Sequence, residues 1–139
     1  MIDDHSKCFF KLLTIKNSSD FKRLSKSKFK YYGKYIIILC NITPEKYSYN
    51  KNLNLNCVNF IRIGYTISRK ISKLAVKRNK IKRRLKEIAR LYHQKYFINH
   101  YDYNIIAKSQ IIDSDFKDIK NDFELCIKKL KEKIDVKKN

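Results

Sequence analysis

Glycine and proline are nearly missing from this chain, at 2 and 1 of 139 residues. That scarcity excludes collagen-like repeats, linker-like sequence and most turn-dense β architectures. Acidic side chains are few as well, 13 Asp+Glu against 33 Lys+Arg, which leaves a formal net charge of +20 and a pI near 9.9. Long apolar runs are lacking: the longest, Tyr35 to Cys40, falls far short of the about 20 residues that a membrane-spanning helix needs. Asp3 and Asp4 precede a brief Cys8-Phe9-Phe10 patch that Lys11 interrupts, unlike a secretory signal with its basic start and long apolar segment. The four cysteines (Cys8, Cys40, Cys57 and Cys126) form no CxxC pair, and His5, His93 and His100 complete no zinc pattern. Reduced thiols in a cytoplasmic protein are expected.

What is present is enough to fold. A hydrophobic fraction of 43%, with 13% aromatic, is ordinary for a chain that buries a core, and the length suits one domain. Twenty uncompensated positive charges repel one another, and a polyanion relieves that repulsion. Nucleic acid is the first candidate and an anionic membrane surface the second; no membrane association is expected.

Along the chain, Ser18-Ser19-Asp20 are good N-cap types, and Phe21 and Leu24 follow at helical spacing. They predict a first helix ending in Lys26-Ser27-Lys28. Tyr35 to Cys40 is β-branched and aromatic without alternation, as in a buried strand. Residues 41–57 are punctuated by Asn and Pro44, which predicts a long loop, with at most a short strand around Leu53 to Leu55. In the next strand Ile61, Ile63, Tyr65 and Ile67 alternate with Arg62, Gly64, Thr66 and Ser68. The first set would pack on a helix, and Arg62 with the two hydroxyls would face solvent or a ligand.

Ser72 precedes a long helix, about Lys73 to Gln94. Its core stripe is Leu74, Ile81, Leu85, Ile88, Ala89 and Tyr92, and Asn79, Arg83, Lys86 and Arg90 gather opposite, flanked by Lys80 and Lys82. Tyr103 to Ala107 reads as another strand. A final helix carries Phe116, Ile119, Phe123, Ile127, Leu130 and Ile134 on one stripe, with lysines toward its C-terminal end. The expected fold is an α+β sandwich, a small mixed sheet of about four strands in the order α-β-β-β-α-β-α, with helices on one face. Residues 1–17 would be an N-terminal extension, 18–134 the domain and 135–139 a frayed tail.

The densest chemistry lies between Arg62 and Arg90. A basic turn (Arg69, Lys70, Lys73) leads into a helix whose polar face is mainly Arg and Lys. Arg engages phosphate oxygens in pairs, Lys acts as a point charge, and the helix N-terminus adds free N–H groups. A charge run of mixed sign merely decorates a solvated face. Here only Glu87 interrupts the cations from Arg69 to Arg90, so repulsion goes unrelieved unless an anion docks.

The string Arg62-Ile63-Gly64-Tyr65-Thr66-Ile67-Ser68-Arg69-Lys70, then Ala75, then Arg78-Asn79-Lys80-Ile81-Lys82-Arg83 with Glu87 and Arg90, resembles the signature of the bacterial ribonuclease P protein component. Lys86 stands where that family commonly has Arg, which keeps charge and loses the fork. More loosely, the resemblance runs from about Leu12 to Leu130. It implies a left-handed crossover between the sheet and the basic helix. It further implies that the protein is not itself the catalyst. It would join a catalytic RNA, which removes the 5′ leader of precursor tRNA using Mg2+ held by RNA and substrate. Arg78, Asn79, Lys80, Lys82, Arg83, Lys86 and Arg90, with Lys73, would contact the catalytic RNA, and Arg69 and Lys70 that RNA or the leader. Phe21, Arg62, Thr66 and Ser68 would line the leader cleft. Family aromatics that stack leader bases are replaced here by Ser25 and by Ile38 or Leu39, so Phe29, Tyr31 or Tyr35 would have to compensate.

Three other classes fit less well. A protein nuclease needs positioned carboxylates or a general base. His93 and His100 have no paired carboxylate in sequence, and a helix start accounts for Asp113, Asp115 and Asp118. Helix-turn-helix binding of DNA needs two helices joined by a tight turn, whereas strands flank the basic helix here. A general RNA-binding or ribosomal protein shares the composition but has no need of this ordered strand, turn and helix pattern.

Overall fold

Ile36 to Cys40 has the makeup of a strand covered on both faces, and a central place in a sheet is what it takes. The computed structural model describes residues 10–45 and 59–138. In chain order the elements are β1 (Phe10–Thr14), α1 (Ser18–Ser25), β2 (Phe29–Tyr32), β3 (Ile36–Ile42), β4 (Asn59–Thr66), α2 (Ala75–Tyr92), β5 (Tyr101–Ala107) and α3 (Phe116–Lys138). The five strands lie in the order β1-β4-β5-β3-β2. β1 and β5 both run parallel to β4, and β3 is antiparallel to both β5 and β2. Because β4 and β5 are parallel neighbours, the chain must cross over between them, and α2 fills that crossover.

Strand alternation divides the sheet into two faces. Ile36, Ile38, Ile61, Ile63, Tyr103 and Ile105 point to one side, against Ile81, Leu85, Ile88 and Ala89 of α2 and the apolar stripe of α3. These residues form the main core. α1 covers part of the other side, over β3 and β5. The molecule is therefore a sheet between one helix and two.

Several expectations need correction. Phe10–Thr14, assigned above to an N-terminal extension, is a parallel edge strand on β4. Phe29–Tyr32 is a second unforeseen strand, so the sheet has five strands instead of about four. Both are edge strands, with charged or polar residues breaking the apolar pattern, a common way of blunting an open edge. α3 continues to Lys138 instead of fraying after 134. Leu74 is not in the core stripe: it is the N-cap of α2 and 59% exposed. Asn41 and Ile42 complete β3. The strand suggested around Leu53 to Leu55 lies outside the described residues.

The β2–β3 turn is pinned to α3. Asp122 accepts from the backbone N–H groups of Lys34 at 3.0 Å and Tyr35 at 2.8 Å, and Lys108 Nζ donates to the Gly33 carbonyl at 2.8 Å. A Cβ at Gly33 would run into Cys126 Sγ and the Asp122 carboxylate, so the close approach requires glycine.

Cys40 and Cys126 are buried free thiols, and burial pushes each up to about 12. They are predicted to resist iodoacetamide in the native protein at neutral pH and to react once it is unfolded, as peptide mass spectrometry would read. Leu85 is fully buried between α2 and the sheet; Leu85→Ala should cost about 2–5 kcal/mol through a core cavity, measured as a shift in urea midpoint.

Candidate nucleic-acid interface

The stripe that anchors α2 dictates what its other side presents. With Ile81, Leu85, Ile88 and Ala89 buried, the residues half a turn away are forced outward. Asn79, Lys80, Arg83, Lys86 and Arg90 are exposed, and Lys82 and Arg78 are half-buried at the margin. Lys86 Nζ lies 6.0 Å from the Tyr65 ring centroid on β4, and Arg90 contacts Glu87 at 3.4 Å. Burial lifts the Tyr65 hydroxyl above its usual range, and nearby Arg90 partly offsets that rise, so the phenol is neutral at the foot of the cationic face.

The turn before α2 adds a second group of charges. Ser68 Oγ accepts from the Lys70 N–H at 3.2 Å, and the Ile71 N–H donates to the Ser68 carbonyl at 3.1 Å. Arg78 reaches back to donate to the Ser72 carbonyl at 2.8 Å. Arg69, Lys70, Lys73 and Arg78 thereby surround a hollow of about 560 Å³ with no carboxylate in its lining. Four cations at the start of an 18-residue helix suit a phosphate group.

The opposite face of the sheet has a different character. Register places Thr66, Ile106, Ile37 and Tyr32 in one row across β4, β5, β3 and β2, and Gly64, Asn104, Leu39 and Lys30 in the next. α1 stands over the far end of these rows, and the Phe21 ring lies directly on Gly64, where any Cβ would collide with it. The result is a cleft with α1 as one wall. Thr66 donates to Asn104 Oδ1 at 2.9 Å, which fixes a polar patch in a floor that is apolar up to Lys30 and Tyr32 at its edge.

Beneath α1 sits a buried charge cluster. Arg62 contacts Asp20 at 2.7 Å and Asp102 at 3.5 Å, and Arg23 pairs with Asp102 and, at 3.4 Å, with Asp20. Thr43 Oγ1 also donates to Asp102, at 2.7 Å. Burial raises the Asp102 carboxyl above its usual range, and Thr43, Arg62 and Arg23 pull it back.

Comparison with known proteins decides the family. Residues 9–131 match the family model described as Ribonuclease P. The chain is 30% identical over 115 residues to the ribonuclease P protein component of Clostridioides difficile (strain 630), covering 83% of this chain and 89% of that one. The solved Staphylococcus aureus RNase P protein superposes with a TM-score of 0.66 at 25% identity, covering 85% of this chain and 94% of that one. The Thermotoga maritima RNase P protein shares the fold, with a TM-score of 0.65 at 19% identity and 84% and 96% coverage. The chain belongs to the ribonuclease P protein family.

Seen as a family member, the chain distributes its expected RNA-facing residues unevenly. Arg69, Lys70, Lys73, Arg78, Asn79, Lys80, Lys82, Arg83, Lys86 and Arg90 fall along one continuous surface, the turn and outer face of α2. Phe21, Thr66 and Ser68 lie on or beside the cleft, with Ser68 at the turn that joins the two surfaces. Arg62 does not face solvent or a ligand as its strand position suggested: it is 7% exposed and its guanidinium faces Asp20 and Asp102. Asp20, read above as a capping residue, serves this cluster, and Asn17 is the N-cap of α1.

The aromatic expectations also change. Phe29, Tyr31 and Tyr35 pack against the main core and cannot compensate in the cleft. Leu39 is on the cleft face and Ile38 on the core face. The aromatic that does stand on the cleft face is Tyr32, 65% exposed. Its one signal is the alternation within Phe29-Lys30-Tyr31-Tyr32, too short to stand out from the surrounding lysines. His93 and His100 are accounted for locally. His93 Nδ1 lies 2.8 Å from the Arg90 carbonyl, and His100, at φ 63°, sets its ring 4.6 Å from Phe60.

Asp102→Ala should leave Arg62 buried beside a single remaining carboxylate. A loss of about 3–5 kcal/mol is expected, with urea denaturation as the measurement.

Proposed function

We propose that this chain works as the protein subunit of the ribonuclease P ribonucleoprotein, with two RNA surfaces on opposite faces of one sheet. The turn and outer face of α2 bind the catalytic RNA. The cleft between α1 and the rows from Thr66 to Tyr32 holds the single-stranded 5′ leader of precursor tRNA. One observation carries the reading: the charges of α2 are aligned by a rigid core stripe, and a partly apolar cleft whose floor holds a single lysine, Lys30 at its edge, lies on the far side of the same strands. A folded RNA is gripped mostly through phosphates, whereas a single strand is held by stacking and apolar contact as well as charge.

Within this assembly the polypeptide positions and the RNA reacts. Among the described residues no group of three His, Cys, Asp or Glu side chains is placed to hold a metal ion. Magnesium bound by the RNA and substrate would supply the activated water and the charge stabilisation of leaving-group departure. The protein's contribution is electrostatic and geometric. Cations on α2 lower repulsion between RNA segments, and the cleft fixes the leader so that the scissile phosphate is presented in one register. A general RNA-binding protein would need the charge of α2 and have no use for the cleft.

Reconstitution with a bacterial ribonuclease P RNA tests this. At low magnesium the chain should raise precursor-tRNA cleavage well above RNA alone, and should cleave nothing by itself when cleared of RNA. Arg83→Ala should weaken RNA binding across sequences and lower the salt slope of log affinity by about 1, with thermal melting unchanged. An unfolded variant, or wild-type protein that leaves RNA turnover unaltered, would defeat the assignment.

A further inference from the structure

Edge strand β2 ends the cleft floor on one face of the sheet and borders a second depression on the other. Alternation sends Lys30 and Tyr32 to the cleft side and Phe29 and Tyr31 to the α3 side. Beyond the edge, Phe29, Tyr31 and the largely exposed Val136 floor a groove of about 830 Å³ against the last turns of α3. Lys28, Lys129, Lys133 and Lys137 rim it, with Glu132 as the one acid in its lining. Four lysines less one glutamate leave the rim at +3. Lys133 Nζ sits 5.9 Å from the Tyr31 ring centroid and donates to the Lys30 carbonyl at 3.1 Å, which ties α3 to the edge strand and holds one cation at the groove.

This site is separate from the α2 surface. β2 is three strand spacings from β4, about 14 Å, at the end of the sheet remote from β1. Cations at a helix C-terminus serve the helix dipole, and lysines on an edge strand discourage pairing. Neither role calls for an open floor of two aromatic rings. Rings set among cations are the makings of a sequence-tolerant site for single-stranded nucleic acid. The row Thr66, Ile106, Ile37, Tyr32 leads to this edge, and exposed Tyr32 stands at the threshold.

We infer that the groove between β2 and the end of α3 binds leader nucleotides lying farther 5′ than those in the cleft, so that a long leader passes over Tyr32 and around the sheet edge. This rests on the reading of the cleft as the leader site.

The test uses the particle reconstituted with a bacterial ribonuclease P RNA and precursor tRNAs whose leaders are lengthened one nucleotide at a time. For wild type, affinity rises as the cleft fills and rises again with further nucleotides. Lys129→Ala/Lys133→Ala/Lys137→Ala should abolish the second rise, leaving the longest leader bound about tenfold more weakly. The salt slope for that substrate should fall by about 2, while short-leader binding and affinity for the catalytic RNA stay as in wild type. A wild-type particle indifferent to the added nucleotides overturns the inference and leaves the cleft reading standing; indifference to any leader, short ones included, sinks the cleft reading itself. A variant that weakens short and long leaders equally, or weakens the catalytic RNA alone, assigns the groove elsewhere in the complex and also overturns it. So does a flat leader profile together with lysine-dependent flotation on phosphatidylserine vesicles, which would mark a lipid contact.

Discussion

Two arginines and two aspartates buried between α1 and the sheet set the geometry on which both faces of this protein depend. Asp102 on β5 is fully buried, Arg62 on β4 and Asp20 on α1 nearly so, and Arg23 closes the set from the next turn of α1. Removing such charges from water carries a large penalty, which is offset only while each keeps its partners. That requirement is directional in a way hydrophobic contact is not. It ties α1, which lies over β3 and β5, to Arg62 of β4 and Asp102 of β5, reinforced by Leu24, which is fully buried. With α1 held there, Phe21 rests on Gly64, Asn104 and Leu39 are buried, and the row from Thr66 to Tyr32 stays partly exposed.

The same strands then support a surface of opposite character. β4 sends Ile61 and Ile63 into the core and Arg62 into the charge cluster, so the strand is committed to structure along most of its length. The proposed surface for the catalytic RNA falls on the segment on its C-terminal side. The turn from Ser68 to Leu74 is held by short-range hydrogen bonds at Ser68 and Ser72 and by Ile71 against the core, and its cations, with those on the outer side of α2, make up most of the charge assigned to RNA. Charge repulsion along α2 is tolerable because the helix is fastened from beneath by fully buried Leu85, Ile88 and Ala89.

Legibility from sequence tracks this division of labour. α2, α3, β3, β4 and β5 are readable because each carries a stripe or run that burial imposes. β1 and β2 are not, because an edge strand is buried on few sides and its composition answers to solubility as much as to packing. The outward face of α2 can be read for the same reason as its core: a helix with one face fixed has only one other to show. Arg62 misleads because alternation tells which face a residue takes but not what covers that face. Its partners Asp20 and Asp102 lie 42 and 40 positions away in the chain, and nothing local announces them. Tyr32 escapes notice by the converse error, since aromatic residues in a lysine-rich stretch give no hint that a single position faces the cleft.

The arrangement explains how a chain so charged can be selective about how it meets RNA. Were all its cations equivalent, a polyanion would bind in any orientation, and affinity would come without register. Here the cations of α2 and its preceding turn lie on one side of the sheet, and the cleft opens on the other with its wall fixed by a buried cluster of net zero charge. On the proposed assignment, long-range attraction delivers RNA to α2, while the cleft beside α1 takes a single strand. On that assignment, discrimination between folded and single-stranded segments rests on shape, which salt does not screen as it screens the charge of α2.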